Sequence, residues 1–215
     1  MSKSLVNLVT HLSFFAAPDV ANPWATRDAH SQDRDDAGPP MRRRLLREAL
    51  NCPDPRFILI GEAPGYRGAR ITGVPFTSES LIYEGLVNSA LRRHQGTRLT
   101  YREPPWGEAT ATVVWRTLHQ LKLANRVVCW NAFAWHPHLP GLPASNREPT
   151  RTEIQAGLDV LDAFLHYFKG VPVLAVGQVA ANTLKRCGVG VRQVLRHPSH
   201  GGAAAFRLGL ATSGL

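Results

Sequence analysis

Phe57-Ile58-Leu59-Ile60-Gly61-Glu62-Ala63-Pro64-Gly65 is an apolar run that ends abruptly in a glycine- and proline-rich turn. Four consecutive apolar residues bounded by turn residues read as a short strand buried on both faces, the kind found in parallel sheets. Open α/β sheets bind their ligands just beyond the carboxyl ends of such strands. Glu62 is therefore a carboxylate held at a strand end by stiff backbone. Two further segments have the same form. Val127-Val128-Cys129-Trp130 leads to Asn131, and Val194-Leu195 leads through Arg196 to His197, Pro198 and Ser199. An acid, an amide and an imidazole are expected to meet at one site.

The remaining chain supports this architecture. A 215-residue length allows one sizeable core and favours one domain over residues 1–215, with residues 1–40 as an amino-terminal helix and loop extension. Leu5–Ala17 reads as a helix packed on the domain, Ala25–Pro40 as a polar surface loop, and Arg42–Leu50 as a helix stopped by Pro53 and Pro55. Gly68–Ser78 reads as a shaped loop, and Glu79–Arg93 and Glu108–Leu123 as helices. Asn131–Pro149 holds five prolines or glycines and is long enough to be a functional loop. Thr150 caps the next helix with Glu153 as its capping-box partner. A Val173–Val176 strand, a Gln178–Cys187 helix, a Val191–Leu195 strand and an Ala203–Leu210 helix follow. Alternating helices and short strands imply a three-layer α/β/α fold around a four-stranded, mainly parallel sheet.

Composition narrows the partner. The formal net charge is +9, and from Ala163 to Leu215 there is no Asp or Glu, while Lys169, Lys185, Arg186, Arg192, Arg196 and Arg207 are all basic. Clustered positive charge points to a polyanion, nucleic acid above all, over a merely basic surface. Cys52, Cys129 and Cys187 show no CxxC spacing, which implies reduced thiols in a cytoplasmic protein and no cysteine-based metal site. No apolar stretch reaches the ~18–20 residues that span a bilayer. Gly-rich nucleotide and phosphate fingerprints are absent.

Each candidate residue has a functional reading and a plainer one. Glu62 can position or deprotonate a water, or accept backbone N–H bonds in its own turn. Phe76, in the GVPFTS loop, can stack on a planar base or fill the core. Asn131 can read a base edge with its paired donor and acceptor, or cap a loop. His197 can donate to a carbonyl oxygen that gains charge, and Ser199 can hold a phosphate; alternatively both satisfy their own loop. His136 and His138 form an HxH pair with no evident third ligand, too few for a metal site.

In this order, GEAPG at 61–65, Pro75-Phe76, Asn131, NREP at 146–149, AVGQVAANTL and HPS at 197–199 resemble the uracil-DNA glycosylase superfamily, specifically its GEAPG-motif branch. The resemblance covers about Phe57 to Phe206. It implies a monofunctional glycosylase that hydrolyses the N-glycosidic bond of uracil in DNA, with other deaminated bases as further candidate substrates, to initiate base excision repair. Glu62 would handle the water and His197 would stabilise the departing anion. Gly61, Ala63, Phe76 and Asn131 would hold the extruded base, and Arg196, Pro198, Ser199, His200 and Gly201 would contact DNA. Base extrusion requires a few kcal/mol, which stacking and edge bonds offset. No cofactor or metal, no membrane and a monomeric state are expected.

Two departures from the family pattern matter. Where the iron–sulfur members of this branch carry cluster cysteines, the chain has the Trp135-His136 region and Gly157, which implies no cluster. The best-known branch has Asp and a methyl-shielding Tyr at the third and fifth motif positions, where this chain has Ala63 and Gly65, so Glu62 must take the water and the exclusion of thymine is open. A DNA-binding relative without catalysis, sensing damaged or abasic sites, is the alternative, and hypoxanthine or xanthine are alternative bases.

Overall fold

The computed structural model describes residues 3–214. In chain order its elements are α1 (Lys3–Leu12), β1 (Val20–Ala21), a 3-10 turn (Ala29–Ser31), α2 (Pro39–Leu50), β2 (Phe57–Gly61), α3 (Ala69–Thr72), α4 (Glu79–Glu84), α5 (Ser89–Arg92) and α6 (Ala109–Gln120). These lead to β3 (Val127–Asn131), β4 (His136–Pro137), α7 (Arg151–Tyr167), β5 (Val173–Val176), α8 (Gln178–Arg186), β6 (Gln193–Leu195) and α9 (Ala203–Ala211). The central sheet has the order β3-β2-β5-β6 and all three pairings are parallel. Among the described residues no helix is long and apolar enough to cross a membrane.

Every residue of β2 and β5 is buried, as the unbroken apolar runs require. Period-two alternation then divides the strand side chains between two helical layers. Ile58, Ile60, Val128, Trp130, Val173 and Ala175 pack with α1, α7 and α8. Phe57, Leu59, Val127, Leu174 and Val176 pack with α4, α5, α6 and α9. Trp130 stacks on Phe164 of α7 at 4.3 Å. Helix α2 contributes Leu45 to one core and Leu46 and Leu50 to the other, and it packs against β3 at the edge of the sheet. An edge covered in this way is protected from pairing with another chain. The fold class is the expected α/β/α arrangement.

The chain leaves β2 toward β3 on one side and leaves β5 toward β6 on the other. The connections diverge between β2 and β5, which opens a crevice at the carboxyl ends of these strands. In the register, Gly61 stands opposite Asn131, so the GEAPG turn and the strand-end amide emerge side by side.

Three expectations are corrected. Helix α1 ends at Leu12 rather than Ala17, because the Asn22 amide donates to the Leu12 and Phe15 carbonyls at 2.8 and 2.9 Å and closes the helix there. The stretch Ala25–Pro40 is only partly a surface loop. Asp33 pairs with Arg42, both side chains almost wholly buried, while Arg42 Nε donates to the Ile71 carbonyl at 2.7 Å and Trp24 Nε1 donates to Gly73 at 3.1 Å. Ser31 and Asp33 are thus paired inside, while Thr26, Arg27, His30, Gln32, Asp35 and Asp36 stay exposed. The helix read over Glu79–Arg93 is two short helices, α4 and α5, separated where Gly85 takes a left-handed φ of 73°. Glu79 is fully buried and accepts bonds from Leu99, Thr100 and Trp106, which ties the segment before α6 to α4.

Candidate active site

A cleft of about 650 Å³ opens at the carboxyl ends of β2, β3, β5 and β6. Gly61, Glu62, Ala63, Phe76, Asn131, Arg196, His197, Ser199 and His200 all line it. Pro198 is buried behind this surface, and Gly201 is exposed beyond the cleft lining. The three separated motifs therefore converge, as parallel strand ends dictate.

Gly61 sets the closest approach in the cleft. A Cβ at this position would lie 2.7 Å from Phe76 Cζ and 2.8 Å from Asn131 Oδ1, so only glycine lets the ring and the amide close over the end of β2. Phe76 adopts a left-handed φ of 53°, uncommon for a bulky side chain and of the order of 1–3 kcal/mol in strain. The Trp115 indole holds it there by donating to the Phe76 carbonyl at 2.9 Å. Phe76 is both core and cleft wall: it packs in the second core and is 9% exposed. Asn131 is 4% exposed, and its amide makes no hydrogen bond among the described residues. A buried amide that keeps both donor and acceptor free is matched to a ligand edge with the complementary pair.

The hydrogen bonds of His197 set its tautomer. The Ser199 backbone N–H donates to His197 Nδ1 at 3.2 Å, and the Ser199 hydroxyl lies 2.6 Å from the same nitrogen. Nδ1 is therefore an acceptor, which leaves the proton of the neutral ring on Nε2. Burial, and after it the positive Arg196 and the neighbouring His200, push the imidazole pKa down and favour this neutral donor.

Glu62 is half-buried, and its pKa is pushed up to about 7, first by burial and then by the like charge of Glu148. Glu148 belongs to the NREP segment, in which Asn146 and Arg147 also line the cleft and brace the loop. Asn146 Oδ1 accepts from the Tyr66 backbone N–H at 3.0 Å and ties the loop to the GEAPG turn. Arg147 grips Glu153 through two bonds of 2.7 and 2.8 Å, which orients the capping box of α7. His136, fully buried, donates from Nδ1 to the Pro64 carbonyl at 2.7 Å, and burial lowers its pKa to about 4. The HxH pair thus contributes an anchor for the turn. Among the described residues no three His, Cys, Asp or Glu side chains group as a metal site.

Sequence reasoning missed Glu108, which also lines the cleft. It is the N-cap residue of α6, yet its side chain caps nothing. The carboxyl occupies the room left by two glycines: a Cβ at Gly65 would lie 3.0 Å from Glu108 Oε1, and one at Gly68 only 1.7 Å from Oε2. Burial pushes its pKa up to about 7. The signal was present in Gly65 and Gly68, but only the fold shows which side chain fills the vacated space.

The space around Trp135 is packed with aromatic rings. Phe15 stacks on Trp135 at 3.8 Å, Phe133 meets it edge-on at 5.4 Å, and a Cβ at Gly157 would approach Trp135 to 3.1 Å.

Comparison with known proteins bears on the fold and the family. The crystal structure of SMUG2 from Pedobacter heparinus is similar in fold, with a TM-score of 0.57 over 100% of this chain and 97% of that one, at 12% sequence identity. No curated protein sequence matches the chain. The family model for the uracil DNA glycosylase superfamily matches residues 49–208, from the end of α2 into α9, and so takes in every strand that supplies the cleft. On that match the chain belongs to the uracil DNA glycosylase superfamily, a family of DNA glycosylases.

Proposed function

We propose that the protein is a monofunctional glycosylase that removes uracil, and other deaminated bases, from DNA. The observation that carries this reading is the convergence, in one cleft, of the strained Phe76, the unpaired Asn131 amide and the Nε2–H donor of His197 beside Glu62. Phe76 stacks on the extruded base and Asn131 pairs with its edge, which offsets the unstacking of a few kcal/mol. The C1′–N1 bond then breaks with its electron pair leaving on the base. His197 Nε2–H donates to the carbonyl oxygen where that charge collects. Glu62, in its ionised form, faces the cationic sugar and takes a proton from the water whose oxygen bonds to C1′. The products are free base and an abasic site. No lysine stands at the motif positions to form a Schiff base, which supports hydrolysis without strand cleavage.

The finer placement within the superfamily follows the same residues. We read the GEAPG turn as that of the branch that includes iron–sulfur members. The packed Phe15, Phe133 and Trp135 rings against Gly157 do not fit a cluster with cysteine ligands, and we read the protein as working without one. Gly65 removes the side chain that would screen a 5-methyl group, and the Glu108 carboxyl stands beside it. The range of bases is therefore a question of that wall. Oligonucleotides carrying uracil, hypoxanthine, xanthine or thymine, single- and double-stranded, with chromatographic detection of the free base, test it. Release of uracil supports the reading, and release of none of the four overturns it.

A further inference from the structure

The loop after β6 contains one more bond than the reaction outlined above uses. His200 Nδ1 lies 3.0 Å from Ser199 Oγ, which in turn lies 2.6 Å from His197 Nδ1. The protons in this chain can be counted. His197 Nδ1 already accepts the Ser199 backbone N–H and so carries no proton. The Ser199 hydroxyl must then be the donor of its bond to Nδ1, and it has only one proton to give. Its oxygen can only accept from the other side, so His200 Nδ1 must carry a proton. The relay runs in one direction, from His200 Nδ1–H to Ser199 Oγ–H to His197 Nδ1, and ends at the Nε2–H of His197 facing the cleft.

The backbone is shaped for this arrangement. His200 takes a left-handed φ of 50° and Gly201 follows at 75°, a tight turn that folds an exposed imidazole back onto the preceding hydroxyl. The other charged groups lining the cleft are Glu62, Glu108, Arg147, Glu148 and Arg196, and none of them bonds to Ser199 Oγ.

We propose that His200 is a positioning residue: its Nδ1–H fixes the Ser199 hydroxyl on His197 Nδ1, where, beside the Ser199 backbone N–H, it is the second donor that holds the imidazole in place with its Nε2–H toward the cleft. This inference rests on the proposed glycosylase reading but is tested apart from it. The measurement is the ¹⁵N chemical shifts of the His197 ring in the protein without DNA, compared between wild type, His200→Gly and His200→Asn. Glycine accepts the backbone conformation and removes the donor. Asparagine tolerates the same φ and offers an amide N–H in place of Nδ1–H.

Wild type should show one neutral tautomer, with Nδ1 unprotonated. His200→Gly should keep that tautomer, which the Ser199 backbone N–H still dictates, but move the Nδ1 shift away from its wild-type value as the freed hydroxyl turns aside, with uracil release slowed about three- to tenfold, as expected for loss of one orienting hydrogen bond, while affinity for abasic-site DNA changes less than the rate. His200→Asn should restore the wild-type Nδ1 shift and most of the rate. Unchanged His197 shifts in His200→Gly overturn the proposal even if base is released normally. A wild type with the single tautomer and no base release overturns the glycosylase reading and leaves the relay standing.

Discussion

Replacing Glu62 with Gln should stabilise the fold at alkaline pH while removing its chemistry. In the native protein the Glu62 carboxyl titrates near 7, against an ordinary value of 4.5, because burial and Glu148 oppose its charge. A group whose folded pKa is raised binds its proton more tightly in the native state. Its contribution to stability is complete below about pH 4.5 and is lost as pH rises through 7. Each pH unit between the two values is worth about 1.4 kcal/mol, which sets a ceiling of about 3.4 kcal/mol for Glu62. Water reaches the cleft, and the screening it brings reduces the expected effect to about 1–2 kcal/mol. Urea unfolding of wild type and Glu62→Gln at pH 5 and pH 8 measures it. The variant should gain about 1–2 kcal/mol on wild type at pH 8 and much less at pH 5. Equal stabilities at both pH values, or a variant less stable at pH 8, would refute the reasoning that Glu62 is held against its own charge.

Other predictions follow from single contacts. Gly61→Ala places a methyl 2.7 Å from Phe76 Cζ; the displaced ring and amide should slow base release about a hundredfold, with about 1–3 kcal/mol of destabilisation from overpacking, read by single-turnover kinetics and thermal unfolding. Asp33→Ala leaves Arg42 buried without its carboxylate and should destabilise the fold by about 3–5 kcal/mol in urea titrations. Affinity for DNA should fall about a hundredfold between 50 and 200 mM salt if about four phosphates are contacted, measured by fluorescence anisotropy, and Arg196→Ala should flatten that dependence.

The parts of the fold legible in the sequence were those where one side chain property dictates one outcome. Phe57–Ile60, Val127–Trp130 and Val173–Val176 are apolar throughout, so burial on both faces and parallel pairing follow directly. Thr150 and Glu153 form their capping box because both halves are local. The convergence of Glu62, Asn131 and His197 was legible because strand ends in a parallel sheet share one side, whereas Phe76 reaches the cleft from the loop between α3 and α4. What was not legible depends on long-range partners. Asp33 and Arg42 look like surface charges until Arg42 is placed beneath Ile71. Asn22 gives no local sign that it terminates α1. Glu108 lies 43 positions beyond Gly65 in numbering, and nothing in its neighbours announces that its carboxyl fills the glycine's space.

The central claim is that this cleft breaks a glycosidic bond rather than only holding damaged DNA. Single-turnover release of free uracil from a uracil-containing oligonucleotide, with binding to the same oligonucleotide measured in parallel, tests it for wild type and Glu62→Gln. The account predicts that wild type releases uracil and leaves an abasic site, and that Glu62→Gln binds comparably but is slower by about 100-fold or more. Equal, very slow release by both proteins, with binding intact, would contradict it and point to a relative that recognises DNA without catalysis.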